Sequence, residues 1–273
     1  MDPDRLLQLA TILAMRQFSV AVGQLAGASR AVYQDRELWK GYHQHKSARQ
    51  RTRLMHASLT GNAARVDFLL GVGAAANECT ADGDSALLLA SQGGHLEVVR
   101  LLVERGGASI HAGRACDSMT PLMQACLHGR LQVVRELLAR GASASAATPW
   151  GWSCLMMASM NGYARVAREL LGRGAAVNAA QSTDGCTALM EASRNGHLEV
   201  ARALIERGAN VNAEMQYTRV TPLMLACQEG HEGIARLLLA SGASRGARHV
   251  NGRTALDMAS TTPIYSLLRG RKA

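Results

Sequence analysis

The stretch that decides the fold spans residues 187–213 and reads TALMEASRNGHLEVARALIERGANVNA. Thr187 predicts the N-cap of a short helix, because a threonine hydroxyl can accept a hydrogen bond from a free amide at a helix start. Gly196 ends this helix, since glycine adopts the left-handed conformation without steric penalty. A second helix follows and stops at Gly208. Its apolar residues recur at helical spacing: Val200, Leu204 and Ile205.

Two short helices cannot bury their apolar faces alone, and the same pattern recurs along the chain. Segments that open on Thr or Ser begin at Thr52, Ser85, Thr120, Ser153, Thr187, Thr221 and Thr254. The steps between these residues are 33, 35, 33, 34, 34 and 33 residues. Such a period predicts stacked helical units, each of which covers the apolar face of its neighbour.

These segments resemble the repeats of the ankyrin family. Two of them open with TPLMQA at 120–125 and TPLMLA at 221–226, and Gly-His pairs begin at Gly94, Gly196 and Gly230. The resemblance covers residues 52–268. It implies an all-α solenoid in which each repeat is a helix-turn-helix followed by a β-hairpin finger, and it assigns residues 52–273 to the repeat domain.

Helical caps are expected at both ends of the array, because a solenoid must cover its apolar ends. Residues 1–51 do not fit the repeat, and residues 5–24 predict an amphipathic helix. At the other end, residues 254–259 predict a first helix. Residues 263–268 allow only a stub of the second helix before a polar end.

The N-terminal segment also resembles an F-box, the helical module that docks an adaptor of cullin-type ubiquitin ligases. The resemblance rests on MDPDRLL at 1–7, LAGASR at 25–30 and DRELW at 35–39. It implies that Leu38 and Trp39 bind the adaptor and that the chain is a substrate-recognition subunit. The helical cap is the alternative interpretation of the same residues.

The composition permits several partners and demands none. The formal net charge is +9, carried by 30 basic residues of which only Lys40, Lys46 and Lys272 are lysines. This balance is compatible with acidic proteins or nucleic acid. The six cysteines show no paired spacing, and no apolar run is long enough to span a bilayer. We therefore expect a monomer in the cytoplasm, with the nucleus as an alternative.

Neither an enzyme nor a cofactor or metal site is predicted. His95, His197 and His231 share one repeat position, so the stack holds them about 10 Å apart and they cannot converge on a metal. Cys126 and Cys227 take a small-residue position in the first helix, and no histidine is placed to activate a cysteine.

The remaining candidate is a binding surface. Counting the opening Thr or Ser as position 1, positions 5, 8 and 9 of each first helix are predicted to point away from the core. The resemblance implies that this concave face and the hairpin tips bind a protein partner. Strand-like alternation would place Trp150 and Trp152 on one side of a finger, as the centre of the interface. The predicted partner-binding residues are Gln124, Leu127, Trp150, Trp152, Met157, Met160, Tyr163, Glu191 and Arg194.

Position 16 is arginine in five consecutive repeats, namely Arg100, Arg135, Arg168, Arg202 and Arg236. Glutamates three or four residues away can neutralise this ladder, in which case it is a solvated face. The alternative is an anion-binding stripe for nucleic acid, an acidic membrane or an acidic protein. An interaction scaffold remains the main prediction.

Overall fold

Thirteen short helices follow one another in residues 52–269, the part of the chain that the computed structural model describes. Six of them open a repeat: α1 (Arg53–Leu59), α3 (Ala86–Gly93), α5 (Pro121–Leu127), α7 (Cys154–Met160), α9 (Ala188–Asn195) and α11 (Pro222–Gln228). Six complete a repeat: α2 (Ala63–Gly71), α4 (Leu96–Glu104), α6 (Leu131–Ala139), α8 (Ala164–Gly172), α10 (Leu198–Glu206) and α12 (Glu232–Ala240). The last is α13 (Thr262–Leu268).

The helices form two rows. Each first helix packs against its second helix and against the first helices of the adjacent repeats, while the second helices form a parallel outer row. The predicted all-α ankyrin-type solenoid is confirmed. The predicted N-terminal cap and the F-box-like segment, including Leu38 and Trp39, lie outside the described residues.

The start of each first helix follows from its opening residue. The hydroxyl of that residue accepts a hydrogen bond from the amide three positions later in six repeats, at Thr52, Ser85, Thr120, Ser153, Thr187 and Thr221. That third residue is methionine in five of these helices, and all five side chains are buried: Met55, Met123, Met156, Met190 and Met224. One local sequence signal therefore sets both the helix start and the core contact.

The turn between the two helices also ties adjacent repeats together. The Nε2 of His197 donates to the carbonyl oxygen of Met160 at 3.1 Å, and His95 and His231 make the equivalent bonds at 2.9 and 3.0 Å. Arg130 takes the histidine position in its repeat and donates from Nε to the carbonyl of Gln92. The structural role predicted for these histidines is confirmed.

Replacing His197 by alanine is expected to lower the free energy of unfolding by about 1 kcal/mol, because the hydrogen bond from the imidazole to the Met160 carbonyl is lost. Urea denaturation measures this change. Arg202→Ala is the control, since its side chain lies in solvent beside the exposed Glu199. A loss no larger for His197→Ala than for Arg202→Ala would contradict the role of the histidine.

The fingers between repeats are closed turns. In residues 52–269 the pairing is limited to isolated antiparallel bridges, such as the one between Ala147 and Ser153. Neighbouring fingers are joined at their bases by asparagines. Asn178 donates to the carbonyl of Gly208 and accepts from the amide of Asn210, and Asn77 and Asn212 repeat this arrangement.

The C-terminal end differs from its prediction. Residues 254–259 form turns, so the first helix predicted there is wrong, whereas α13 supplies the predicted stub of a second helix. The amide and the hydroxyl of Thr254 both donate to the carboxylate of Asp257 at 2.8 Å. This hydroxyl therefore does not start a helix as Thr187 does. The longest helices in residues 52–269 have nine residues, and none is a candidate membrane span.

Candidate partner-binding surface

Position 5 is buried in five of the six first helices, which corrects one prediction, whereas His56 of α1 is exposed. Gln124, Met157 and Glu191 are 4%, 4% and 2% exposed, although we predicted them to face outward. The helices that carry these residues, α5, α7 and α9, each have the first helices of both adjacent repeats against them, so the buried arc is wider than a single apolar stripe. These three residues are therefore parts of the stack.

Glu191 shows how a buried carboxylate is accommodated. Its Oε1 accepts a hydrogen bond from the thiol of Cys186 at 3.2 Å and lies 3.5 Å from Nη1 of Arg194. A buried charge needs such partners, because burial removes its hydration. Of this group only Arg194 reaches the surface, with its side chain 19% exposed.

Three side chains at positions 8 and 11 of the central repeats form a half-buried rim. Leu127, Met160 and Tyr163 are each partly exposed, and Leu127 and Tyr163 pack against the core. Tyr163 takes the position that histidine holds in other repeats, and its ring lies so close to Gly129 that a Cβ there would clash. The rim can contact a partner only through the edges of these side chains.

The finger that carries the two tryptophans separates them. The amide of Thr148 donates to the carbonyl of Trp152 at 2.9 Å, and between the tryptophans Gly151 turns the chain with φ at 83°. Because of this turn, the predicted strand alternation is wrong. Trp152 packs against the core, while Trp150 is 46% exposed.

Trp150 belongs to a row of exposed apolar tips that sequence inspection missed. In each finger an amide donates to a carbonyl four or five residues on, and Trp150 and Tyr217 both stand two residues after that amide. Tyr217 is 62% exposed, and Val250 on the last finger is 64% exposed. We call Trp150, Tyr217 and Val250 the fingertip row. The signal that could have found Tyr217 is a large apolar residue three or four positions before the opening Thr or Ser, as at Trp150 and Tyr217.

Backbone hydrogen bonds hold adjacent tips in place. The amide of Ser182 donates to the carbonyl of Trp150 at 3.1 Å, and the amide of Val250 donates to the carbonyl of Thr218 at 2.9 Å. The fingers of residues 181–186 and 215–220 are joined in the same way, because the amide of Gln216 donates to the carbonyl of Asp184 at 2.8 Å. The fingertip row therefore stands on a continuous, hydrogen-bonded support.

The arginine ladder is exposed and is paired with glutamates, mostly across repeats. Arg100 reaches Glu136 at 3.1 Å, Arg135 reaches Glu169 at 2.9 Å and Arg168 reaches Glu199 at 2.9 Å, whereas Arg202 and Arg236 pair within their own helices. Hydrogen bonds from Arg140 and Arg100 lower the pKa of Glu136. These pairs neutralise part of the ladder, as the solvated-face interpretation expects.

The cysteines give no sign of an activated thiol. Burial raises the pKa of Cys227 to about 12, and burial also raises the pKa values of Cys126 and Cys186. A raised pKa keeps a thiol protonated and therefore a poor nucleophile. Within residues 52–269, no group of three or more His, Cys, Asp or Glu side chains is placed to hold a metal ion.

Comparisons with known proteins agree with this architecture. The family model "Ankyrin repeats (3 copies)" matches residues 54–148 and 141–215, and the model "Ankyrin repeat" matches residues 219–250. No curated protein sequence matches the chain.

Two solved structures resemble the chain over most of its length. The ankyrin repeat domain of human ASB11 is 26% identical, with a TM-score of 0.74, and the match covers 82% of this chain and 99% of that one. The ankyrin repeat domain of Bcl-3, a member of the IkappaB family, is 29% identical, with a TM-score of 0.69 and coverages of 81% and 99%. Repeats of this kind are generally protein–protein interaction modules. The family models together match well over half of the residues, and the chain belongs to the ankyrin-repeat family.

Proposed function

We propose that the chain is a non-enzymatic scaffold that binds a protein partner through the fingertip row. The observation that carries this proposal is the exposure of Trp150, Tyr217 and Val250 on aligned fingers. The half-buried rim, with Arg194 in the next repeat, would extend the contact along the first helices.

Two features of the fingertip row support a protein partner. Tryptophan and tyrosine are enriched at the centres of protein interfaces, where they contribute much of the binding energy. Equivalent positions of successive repeats lie about 10 Å apart, so Trp150 and Tyr217 are separated by roughly 20 Å, within the span of a standard interface.

The hydrogen-bonded backbone beneath the fingertip row also favours binding. The hydrogen bonds between adjacent fingers restrict the backbone before a partner arrives. A preorganised surface loses less conformational entropy on binding and so retains more of its contact energy. The scaffold thus supplies rigidity, and the tips supply the contact.

Trp150→Ala is expected to weaken partner binding by more than about tenfold, since truncating a central aromatic commonly costs ~2–4 kcal/mol. Thermal stability should stay nearly unchanged, because the ring is half in solvent. A partner is first captured with the intact chain, and its affinity is then measured by calorimetry.

Phe68→Ala is the matched control for this experiment, because Phe68 is an aromatic residue 67% exposed on α2, away from the fingers. It should leave affinity unchanged. If Trp150→Ala unfolds the array, or if both variants bind equally well, the fingertip row is not the binding surface.

The ubiquitin-ligase alternative stays a prediction that rests on the sequence of residues 35–39. It is tested by asking whether the intact chain retains the F-box adaptor and whether a Leu38/Trp39 double alanine variant loses it. The extended anion-binding stripe is disfavoured, because each of the five ladder arginines has a glutamate within 4 Å.

A further inference from the structure

One stretch of the outer helix row carries an excess of positive charge. An open groove lies between α6 and α8, with Leu131 and Gly172 among its lining residues. Five charged residues line this groove, namely Arg135, Arg165, Arg168, Arg173 and Glu169. Four positive charges thus surround a single negative one.

The imbalance arises from missing acids. At positions 13 and 20 of the repeat, α4 carries Glu97 and Glu104, and α10 carries Glu199 and Glu206. The same positions hold Gln132 and Ala139 in α6, and Arg165 and Gly172 in α8. The glutamates that α4 and α10 carry at these two positions are therefore absent from both sides of the groove. Glu169 is the only acid among the residues that line it.

The ion pairs leave positive charge in the groove. Glu169 is shared, with Arg135 at 2.9 Å and Arg173 at 3.6 Å. The salt-bridge partner of Arg168 is Glu199, whose side chain is 62% exposed. No salt bridge joins Arg165 to a carboxylate anywhere in residues 52–269. Arg165 is exposed and free to meet a carboxylate from outside.

We propose that this groove binds a short acidic segment of a protein partner, with two or three Asp or Glu side chains. Arginine pairs well with carboxylates, and Arg135 already holds one across the same groove. The patch is also short, because Glu136 and Glu199 stand at its two sides. A long nucleic acid would meet these acids, whereas a few carboxylates fit between them. This site lies on the outer row, beyond the fingertip row of the proposed function.

The proposal can be tested by placing a glutamate in the groove at position 20 of the repeat. Gly172→Glu places at position 20 the glutamate that α4 and α10 carry, and nothing lies within 4 Å of a Cβ there. Gly71→Glu is the matched control: it makes the same change at the same repeat position in α2, where the Cβ site is equally open. Both variants lower the net charge by one, so they differ only in where the charge stands.

The probe is a fluorescein-labelled hexaglutamate peptide, whose anisotropy is followed with the full chain at about 20 mM salt, where screening is weak. We expect Gly172→Glu and Arg165→Gln each to weaken binding about fivefold, and Gly71→Glu to have less than a twofold effect. Trp150→Ala should bind the peptide as wild type does.

Three results would overturn the proposal. One is equal weakening of peptide binding by Gly71→Glu and by Gly172→Glu, which would mean that only net charge matters. Another is no binding of hexaglutamate by the wild-type chain. The third is tighter binding of single-stranded DNA or of vesicles containing phosphatidylserine, with the same dependence on Arg165, which would assign the groove to a different occupant.

Discussion

Replacing Asp117 by alanine is expected to destabilise the array by about 3–5 kcal/mol, because it leaves a buried guanidinium without its main partner. Arg114 and Asp117 are 7% and 6% exposed, and the two side chains form a bidentate pair. Arg114 also reaches Asp84 of the preceding finger at 3.3 Å. Removing Asp117 therefore weakens both one finger and its link to the preceding finger.

Asp117 has a second role within its own turn. Its Oδ1 accepts a hydrogen bond from the amide of Met119 at 3.0 Å, and between them Ser118 has a positive φ of 58°. The carboxylate thus holds a backbone conformation that a serine rarely adopts. Urea denaturation of Asp117→Ala measures the loss. Glu78→Ala, an exposed acid in the preceding inter-repeat segment, is the control, and equal losses would contradict the buried ion pair.

Leu204→Ala is expected to cost ~2–5 kcal/mol, because it opens a cavity between central repeats. Leu204 is 0% exposed and lies in the core between the two helix rows. In a nearly one-dimensional array, loss of one interface should also split unfolding into separate transitions.

The control for this prediction is Glu206→Ala, two residues along the same helix and exposed. Its free energy of unfolding should change by less than about 0.5 kcal/mol. Equal destabilisation by the two variants, measured by thermal or urea unfolding, would contradict the assignment of the helix faces.

The period and the helix ends could be predicted from sequence because they depend on local chemistry. Thr187 caps α9 through its hydroxyl, and Gly196 follows that helix with φ at 79°, as its pattern predicts. The predicted burial of Val200 and Leu204 on α10 is likewise confirmed. Each of these features is decided within a few residues, so one repeat suffices to show it.

The burial of position 5 could not be predicted in this way. Glutamate is a residue type that usually lies at the surface. Glu191 is buried because helices stack on both sides of α9, and the thiol of Cys186 donates a hydrogen bond to its carboxylate. The pair of Arg114 and Asp84 spans two repeats for the same reason. Such contacts depend on stacking, which a single helix does not reveal.

The contacts of the arginine ladder could be predicted from the sequence only in part. Its exposure follows from helical periodicity, and Arg202 and Arg236 pair within their helices as spacing suggests. Arg100, Arg135 and Arg168 instead reach glutamates of the following repeat. The distance between neighbouring repeats is short enough for an arginine to span, so the stack competes with the helix for the same carboxylates.

Site-specific cross-linking tests the fingertip row most directly. A photoreactive benzoylphenylalanine is placed at Trp150, Tyr217 or Phe68 in turn, each of which is an exposed aromatic position. We expect one and the same protein to be captured from positions 150 and 217 and not from position 68. Capture from position 68 alone, or of unrelated proteins from 150 and 217, would contradict the proposal that the fingertips bind the partner.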